Sequence, residues 1–308
     1  MAAPRMPAFN VLFLAAGYGT RLERDIRADA TGAHAHLLGV PKALLPVCGE
    51  PLLDHWLRLL ETTAGASGAA AGPAATGRDL SHVYVVCNAH FHPQFAAWAA
   101  DRGLPASHVL NDGTASNATR VGAVGDLALA IAHFGLAEAG RPPLLVVAGD
   151  TLMLADFDLA RFVAAGEAAP GSLVARYTVS ADADTLKTGI LEIEPDAAAA
   201  GSGGGGDGGV ARVTGFLEKP APEDTPSRLA CPCFYYLKPD ALRLVDTFLH
   251  EKRLENAPLE QIDASGKFVQ WLIHRHPTYS FAISGRLDIG GLATLIEAEE
   301  YMRAHRRA

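Results

Sequence analysis

The stretch VLFLAAGYGTRL, Val11 to Leu22, decides how the rest of the chain is read. An apolar run of strand length, Val11 to Ala15, empties into a turn carrying Gly17 and Gly19, then into Thr20 and Arg21 ahead of an expected helix. Glycines let the backbone take positive φ and come close to a ligand. Successive N–H groups turned one way and backed by a helix N-terminus make an anion site. The segment is therefore a strand, an anion-cradling loop and a cation. It is not a dinucleotide fingerprint, because Leu22 stands where the third glycine is needed and no GK[ST] follows.

Working outward, Pro41 and Pro46 bracket Lys42 and predict an extended segment that aims one lysine at a fixed point. Leu52, Leu53, Trp56, Leu57 and Leu60 recur at helical spacing. Val83 to Cys87 is a second buried strand, followed by a short helix near Phe95 to Ala100. Val109 and Leu110 lead into the polar loop NDGTASN, Asn111 to Asn117, and a helix is expected from about Thr119 to Phe134. Leu144 to Ala148 is apolar on both faces, as a central parallel strand is, and ends in Gly149-Asp150. Ligands in open α/β sheets sit beyond the carboxyl ends of strands, so Asp150 falls where chemistry is usually placed.

Strand, helix, strand, helix, strand predicts a Rossmann-like, doubly wound α/β sheet. The second half is strand-rich: Ser172 to Val179, Gly189 to Ile193 and Val210 to Leu217, the last two joined through a glycine tract. FLEKP, a strand at Cys233 to Leu237, a helix near Asp240 to His250, a last strand at Tyr279 to Ile283, RLDIGG and an amphipathic helix from Leu292 complete it. The Ala/Gly-rich segments 64–78 and 196–209 are expected to be flexible insertions.

With 308 residues, 49% of them apolar, one extended α/β domain is the expectation. A net charge of −8 without a long basic block argues against nucleic acid as a partner, while a local cation cluster still suits small phosphorylated ligands. Four scattered cysteines suit a reducing compartment, and Cys231 and Cys233 are expected to be ordinary packed thiols. No apolar run reaches the roughly 18 residues of a membrane helix, and MAAPRMPAFN has no export pattern. A soluble, cytoplasmic protein is expected.

Taken in order, LAAGYGTRL, PKALLPVCGEPLLDH, VVAGD, FLEKP and LDIG resemble the sugar-phosphate nucleotidyltransferases, which include glucose-1-phosphate thymidylyltransferase. The resemblance implies a mixed sheet with an inserted sugar-binding lobe: a nucleotide half at about 9–155, a sugar-phosphate half at about 156–290 and a C-terminal helix over 291–308. It implies transfer of a nucleotidyl group from an NTP to a sugar 1-phosphate with Mg²⁺, releasing pyrophosphate, and frequent homo-oligomers. Leu14, Ala16, Gly17, Gly19 and Thr20 would hold the nucleotide, with Arg21 on the leaving pyrophosphate. Lys42 would neutralise the reacting α-phosphate, Asp150 and Asp288 would bind metal, Lys219 would grip the sugar phosphate, and Gly189 and Glu218 would face the sugar. Asn111 and Asn117 would read the base, an amide offering both donor and acceptor; Asn117 as a helix cap is the plainer alternative.

The residues support the chemistry independently. Attack on an α-phosphate concentrates negative charge, so cations, amides and metal matter more than a base, and the attacking phosphate monoester is already mostly dianionic at neutral pH. Three features depart from the thymidylyltransferases. The chain between Arg21 and Lys42 is long, which predicts a lid. NDGTASN replaces a glutamine followed by a proline-glycine turn, leaving T, U or C open as the base. An acidic motif has only Glu260 or Asp263 as a substitute. A CTP-dependent enzyme for phosphocholine or a phosphonate is the alternative, with Tyr235, Tyr236 and Trp271 as candidates for a cage around a quaternary ammonium. A non-catalytic nucleotide-sugar sensor is the other, disfavoured by the presence of Arg21, Lys42, Asp150 and Asp288 together.

Overall fold

The computed structural model describes residues 9–66, 79–194 and 209–305. The glycine tract and most of the Ala/Gly-rich segment lie outside the described residues.

The first half runs β1 (Asn10–Leu14), α1 (Thr20–Ala28), β2 (Pro46–Val47), β3 (Glu50–Pro51), α2 (Leu52–Ala66), β4 (Val83–Cys87), α3 (His92–Arg102), β5 (Val109–Asn111), α4 (Ala123–Phe134) and β6 (Leu144–Ala148). The second continues with β7 (Thr151–Met153), α5 (Leu159–Ala168), β8 (Ser172–Thr178), β9 (Gly189–Ile193), β10 (Val210–Glu218), β11 (Leu229–Cys231) and β12 (Phe234–Leu237). Then come α6 (Pro239–Leu254), α7 (Glu260–Asp263), α8 (Ser265–Leu272), β13 (Thr278–Ala282), β14 (Arg286–Asp288) and α9 (Leu292–Ala304).

Ten strands form one mixed sheet in the order β11-β9-β10-β13-β8-β12-β6-β1-β4-β5. From β1 the chain first moves outward to β4 and β5, then returns through α4 to β6 on the other side of β1, all in parallel. That reversal is a topological switch point, where a crevice opens beyond the strand ends. On its far side β6 meets β12 antiparallel, with Phe234 opposite Val147, so both halves share a continuous sheet.

Period-two alternation sorts the core. Val11, Phe13, Val85, Val147, Phe234 and Tyr236 face one layer, where Trp56, Phe95 and Phe162 from α2, α3 and α5 cover them. Leu12, Val86, Val146, Val174 and Tyr235 face the other, covered by α4, α6 and α8 through Val124, Leu127, Phe248 and Phe268. Burial on both faces is why β6 shows no polar residue along its length.

Two local expectations fail for identifiable reasons. Lys42 is not extended but opens a 3-10 turn, Lys42–Leu44. Leu44 N–H donates to the Pro41 carbonyl at 2.8 Å and Leu45 N–H to that of Lys42 at 3.1 Å. Pro46 then forces Leu45 back to extended geometry, which stops the turn. The helix expected from Thr119 starts at Ala123 instead, after a 3-10 turn over Asn117–Thr119. Ser116, not Asn117, caps that turn, and Gly122 at φ 82 breaks the chain between the two.

Candidate active site

A cavity of about 340 Å³ opens beyond the carboxyl ends of β1 and β6. Leu14, Ala16, Gly17 and Asn117 of the expected nucleotide residues lie on its wall, as do Asp150, Gly189, Glu218 and Asp288. Of the two loop glycines only Gly19 needs positive φ, at 63° as the residue preceding α1. A Cβ on Gly17 would meet nothing within 4 Å, so there the missing side chain leaves room for a ligand. Asn88 holds the loop from behind, donating its Nδ2–H to the Ala16 carbonyl at 2.8 Å.

Gly149 brings the two strand ends together. Its N–H donates to the Leu14 carbonyl at 2.8 Å, and a Cβ there would stand 2.9 Å from that oxygen. Asp150 follows, and Lys42 Nζ donates to its Oδ2 at 3.1 Å across 108 residues of sequence. The second carboxylate arrives from the far end of the chain: β14 pairs antiparallel with β7, setting Asp288 opposite Thr151, while Ile289 N–H donates to the Asp150 carbonyl at 2.9 Å. Asp150 and Asp288 thus share one short ribbon.

Arg286 was not among the residues singled out from the sequence. It is largely buried and donates to Asp288 Oδ1 at 2.5 Å and to Thr151 Oγ1 at 3.3 Å. Burial works against its charge, but Asp288 and the Tyr177 hydroxyl outweigh that and raise its pKa, so it is a permanent cation under the cavity. Arg21 is exposed beside the mouth, its guanidinium 3.4 Å from where a Gly290 Cβ would be, and it makes no ion pair among the described residues.

At the opposite end Glu218 is wedged between two glycines. A Cβ on Gly266 would fall 1.8 Å from Glu218 Oε2, and one on Gly189 2.2 Å from Phe216 Cζ and 3.1 Å from the same carboxylate oxygen. Burial pushes the Glu218 pKa up, with Lys219 and Lys267 pulling against it. Lys219 itself is exposed at φ 52 and outside the cavity wall, as are Gly19, Thr20 and Arg21. Asn111 also lies off the wall, because its Oδ1 accepts from Gly113 N–H at 2.9 Å and closes the turn after β5.

Near Asn117 the wall is built by Tyr18, Arg120, Ala123, Asp126 and Asp263. Arg120 grips Asp263 with two nitrogens at 2.9 to 3.2 Å, tying the start of α4 to α7. Asp126 is buried, and burial, then Asp112, then Asp263, push its pKa up to about 8. Cys233 lines the cavity with its thiol pushed up to about 11 by burial, which leaves it a packed group rather than a nucleophile at neutral pH. The three aromatics considered for a cage do not converge. Tyr235 and Tyr236 point to opposite faces of β12, and Trp271 stacks on Phe268 and under Arg275. Among the described residues no group of three His, Cys, Asp or Glu is placed to hold a metal ion, and no helix is long and apolar enough to cross a membrane.

The sequence profile of the MobA-like NTP transferase domain matches residues 11–183, from β1 to the turn after β8. UTP–glucose-1-phosphate uridylyltransferase of Pseudomonas aeruginosa is 29% identical over 304 residues, covering 96% of this chain and 95% of the relative. A UDP-glucose pyrophosphorylase solved with UDP-glucose superposes with a TM-score of 0.61 at 18% identity, over 97% of this chain and 100% of the other. A putative glucose-1-phosphate thymidylyltransferase from Bacillus anthracis gives 0.65 at 16% identity, over 98% and 97%. Fold and profile agree: the chain belongs to the MobA-like NTP transferase family and is a nucleotidyltransferase.

Proposed function

We propose that the chain transfers a nucleotidyl group, from UTP or dTTP, to a hexose 1-phosphate, with uridylyl transfer to glucose 1-phosphate the leading case. The observation that carries this reading is one cavity with two unlike ends. The β1 loop and the Tyr18–Asn117–Asp126 wall lie at one end, the Gly189–Glu218–Gly266 niche at the other, and the Asp150–Asp288 ribbon between them. Such a cavity accepts two ligands that meet at the middle. The 29% identity to the Pseudomonas enzyme over nearly the whole of both chains supports uridine and glucose.

In the reaction a phosphate oxygen of the sugar phosphate bonds to the α-phosphorus in line with the leaving group, and the bond from that phosphorus to the bridging oxygen breaks. Pyrophosphate departs with the bond's electron pair. Lys42 beside Asp150 supplies fixed positive charge at the reacting phosphate, and exposed Arg21 supplies it at the leaving group. Glu218 accepts from sugar hydroxyls, and Gly189, whose missing side chain leaves space for the Phe216 ring, keeps that carboxylate seated. Asp150 and Asp288 are two hard oxygen donors on one ribbon, which fits Mg²⁺, an ion held through one or two carboxylates with phosphates and water completing its shell. Bound there, Mg²⁺ would neutralise charge on the phosphates. Each carboxylate has a cation partner, Lys42 for Asp150 and Arg286 for Asp288.

The test is a matrix of four NTPs against several hexose 1-phosphates and phosphocholine, read by pyrophosphate release with Mg²⁺. Turnover of UTP or dTTP with a hexose 1-phosphate is expected. Turnover confined to CTP with phosphocholine would overturn the reading, as would release from no pair.

A further inference from the structure

Among the described residues three cations lie on the cavity wall: Arg120, Lys187 and Arg286. Arg120 is occupied, holding both oxygens of Asp263 and the Asn117 carbonyl. Lys187 is exposed and gives its ammonium to Asp184 at 2.8 Å. Arg286 differs from both. Its hydrogen bonds leave from Nε, to the Tyr177 hydroxyl at 3.4 Å, and from Nη1, to Asp288 and Thr151. Nη2 donates to no described residue, yet it is not among the buried atoms left without a partner, so it is open to solvent. The side chain keeps only 13% of its surface exposed and it lines the cavity, so that opening gives onto the cavity.

The same bonds fix where this guanidinium stands. Asp288 and Thr151 belong to the β14–β7 ribbon at the reaction centre. Tyr177 belongs to β8 and stands opposite Ala230 of β11, whose next residue, Cys231, stands opposite Gly189 at the start of the sugar niche. Arg286 therefore bridges the ribbon and the niche. A sugar 1-phosphate with its ring in the niche and its phosphate at the ribbon must place that phosphate beside it. Lys219, the cation that the family resemblance assigns to the sugar phosphate, is exposed and lies off the cavity wall. We propose that Arg286 holds the phosphate of the sugar 1-phosphate, donating from Nη2 to a non-attacking oxygen while Nη1 stays on Asp288. A planar guanidinium carries five donors in a fixed fork, so it can hold a carboxylate and a phosphate at once in a set geometry. This rests on the transfer reading above and names the residue that orients the attacking phosphate.

After transfer the sugar's phosphate is the β-phosphate of the NDP-sugar, so binding alone tests the contact. The experiment is calorimetric titration of the full chain with UDP-glucose, and with UMP, which lacks that phosphate and the sugar. Wild type, Arg286→Met, Arg286→Lys and Lys219→Met are compared with EDTA present throughout, so that no effect passes through a metal on Asp288. Arg286→Met should bind UDP-glucose at least about tenfold more weakly, the scale of one hydrogen bond between charged groups, and UMP within about twofold of wild type. Retained UMP affinity also shows that the variant is folded. Arg286→Lys should recover part of the loss, and Lys219→Met should lose less than Arg286→Met. In turnover, Arg286→Met should raise KM for the hexose 1-phosphate while KM for UTP holds. Unchanged UDP-glucose affinity in Arg286→Met, or an equal loss for UMP, would overturn the proposal and leave the transfer reading intact, since Arg286 would then serve only the ribbon. A larger loss from Lys219→Met would overturn it too, returning the phosphate to Lys219. Wild type that binds neither ligand, or UMP alone, would overturn the transfer reading and the proposal with it.

Discussion

Two single residues carry sharp consequences. Arg21 is the exposed cation at the mouth, free of ion pairs among the described residues, so its charge is available to a leaving pyrophosphate. Arg21→Ala should lower kcat by about two to three orders of magnitude, the scale of removing one preorganised electrostatic group; near-normal pyrophosphate release from the variant would remove Arg21 from the chemistry. Gly266 gives a cleaner separation of function from stability. Alanine there is a better helix former by up to about 1 kcal/mol, but its Cβ lands 1.8 Å from Glu218 Oε2 and must push the carboxylate aside. Gly266→Ala should therefore raise KM for the sugar phosphate more than tenfold while Tm holds or rises. A fall in Tm with KM unchanged would show that Gly266 serves packing alone. No local pattern marks Gly266 in the sequence, since its partner is 48 positions away and only the docking of α8 on β10 joins them. The strand-to-helix turn that carries Gly17 to Arg21 was legible because its parts are adjacent along the chain.

Among elements, the backbones just before β8 and β13 run close together. Ser172 N–H donates to the Pro277 carbonyl at 3.0 Å, and a Cβ on Gly171 would sit 1.9 Å from that oxygen. Backbone cannot yield as the tip of a side chain does, so Gly171→Ala should cost about 1–3 kcal/mol or more, read as a lower midpoint in urea with m unchanged. A variant as stable as wild type would mean that the junction relaxes freely. Element identity was largely legible: continuous apolar runs gave β1, β4 and β6, and the β9–β10 pairing followed from two alternating segments around a glycine-rich tract. The misread pieces were one-turn helices at Lys42 and Asn117, whose i to i+3 bonds leave no periodicity to detect. Arg286 was passed over for a related reason: a lone arginine before LDIG gains meaning only when β14 pairs with β7 and buries it beside Asp288.

For the whole molecule, the buried carboxyl of Asp126 links stability to pH. Its pKa is raised from 3.8 to about 8, so the folded state holds the proton more tightly than the unfolded chain. That contribution is fully present below about pH 4 and is lost progressively as pH rises towards 8. Asp126→Asn is exempt, so its Tm minus that of wild type should widen from pH 4 to 8 and then level off; parallel curves across that range would show that Asp126 ionises freely. One sheet runs through the first and second halves of the chain, because β12 hydrogen-bonds directly to β6.

The β14–β7 ribbon has a consequence for synthesis. A nascent chain emerging from the ribosome can assemble the β8-β12-β6-β1-β4-β5 part of the sheet and the β1 loop well before Arg286 and Asp288 arrive, yet Asp150 meets its partner carboxylate only when β14 zips onto β7 and Leu292 N–H reaches Asp25 of α1 at 3.4 Å. Domains fold as their residues appear, so an unfinished chain would hold a formed sheet and an unarmed reaction centre. A chain stopped after residue 284 loses the buried Ile289, Leu295 and Ala298 along with Asp288, so it should melt at a lower temperature than the full chain and release no pyrophosphate.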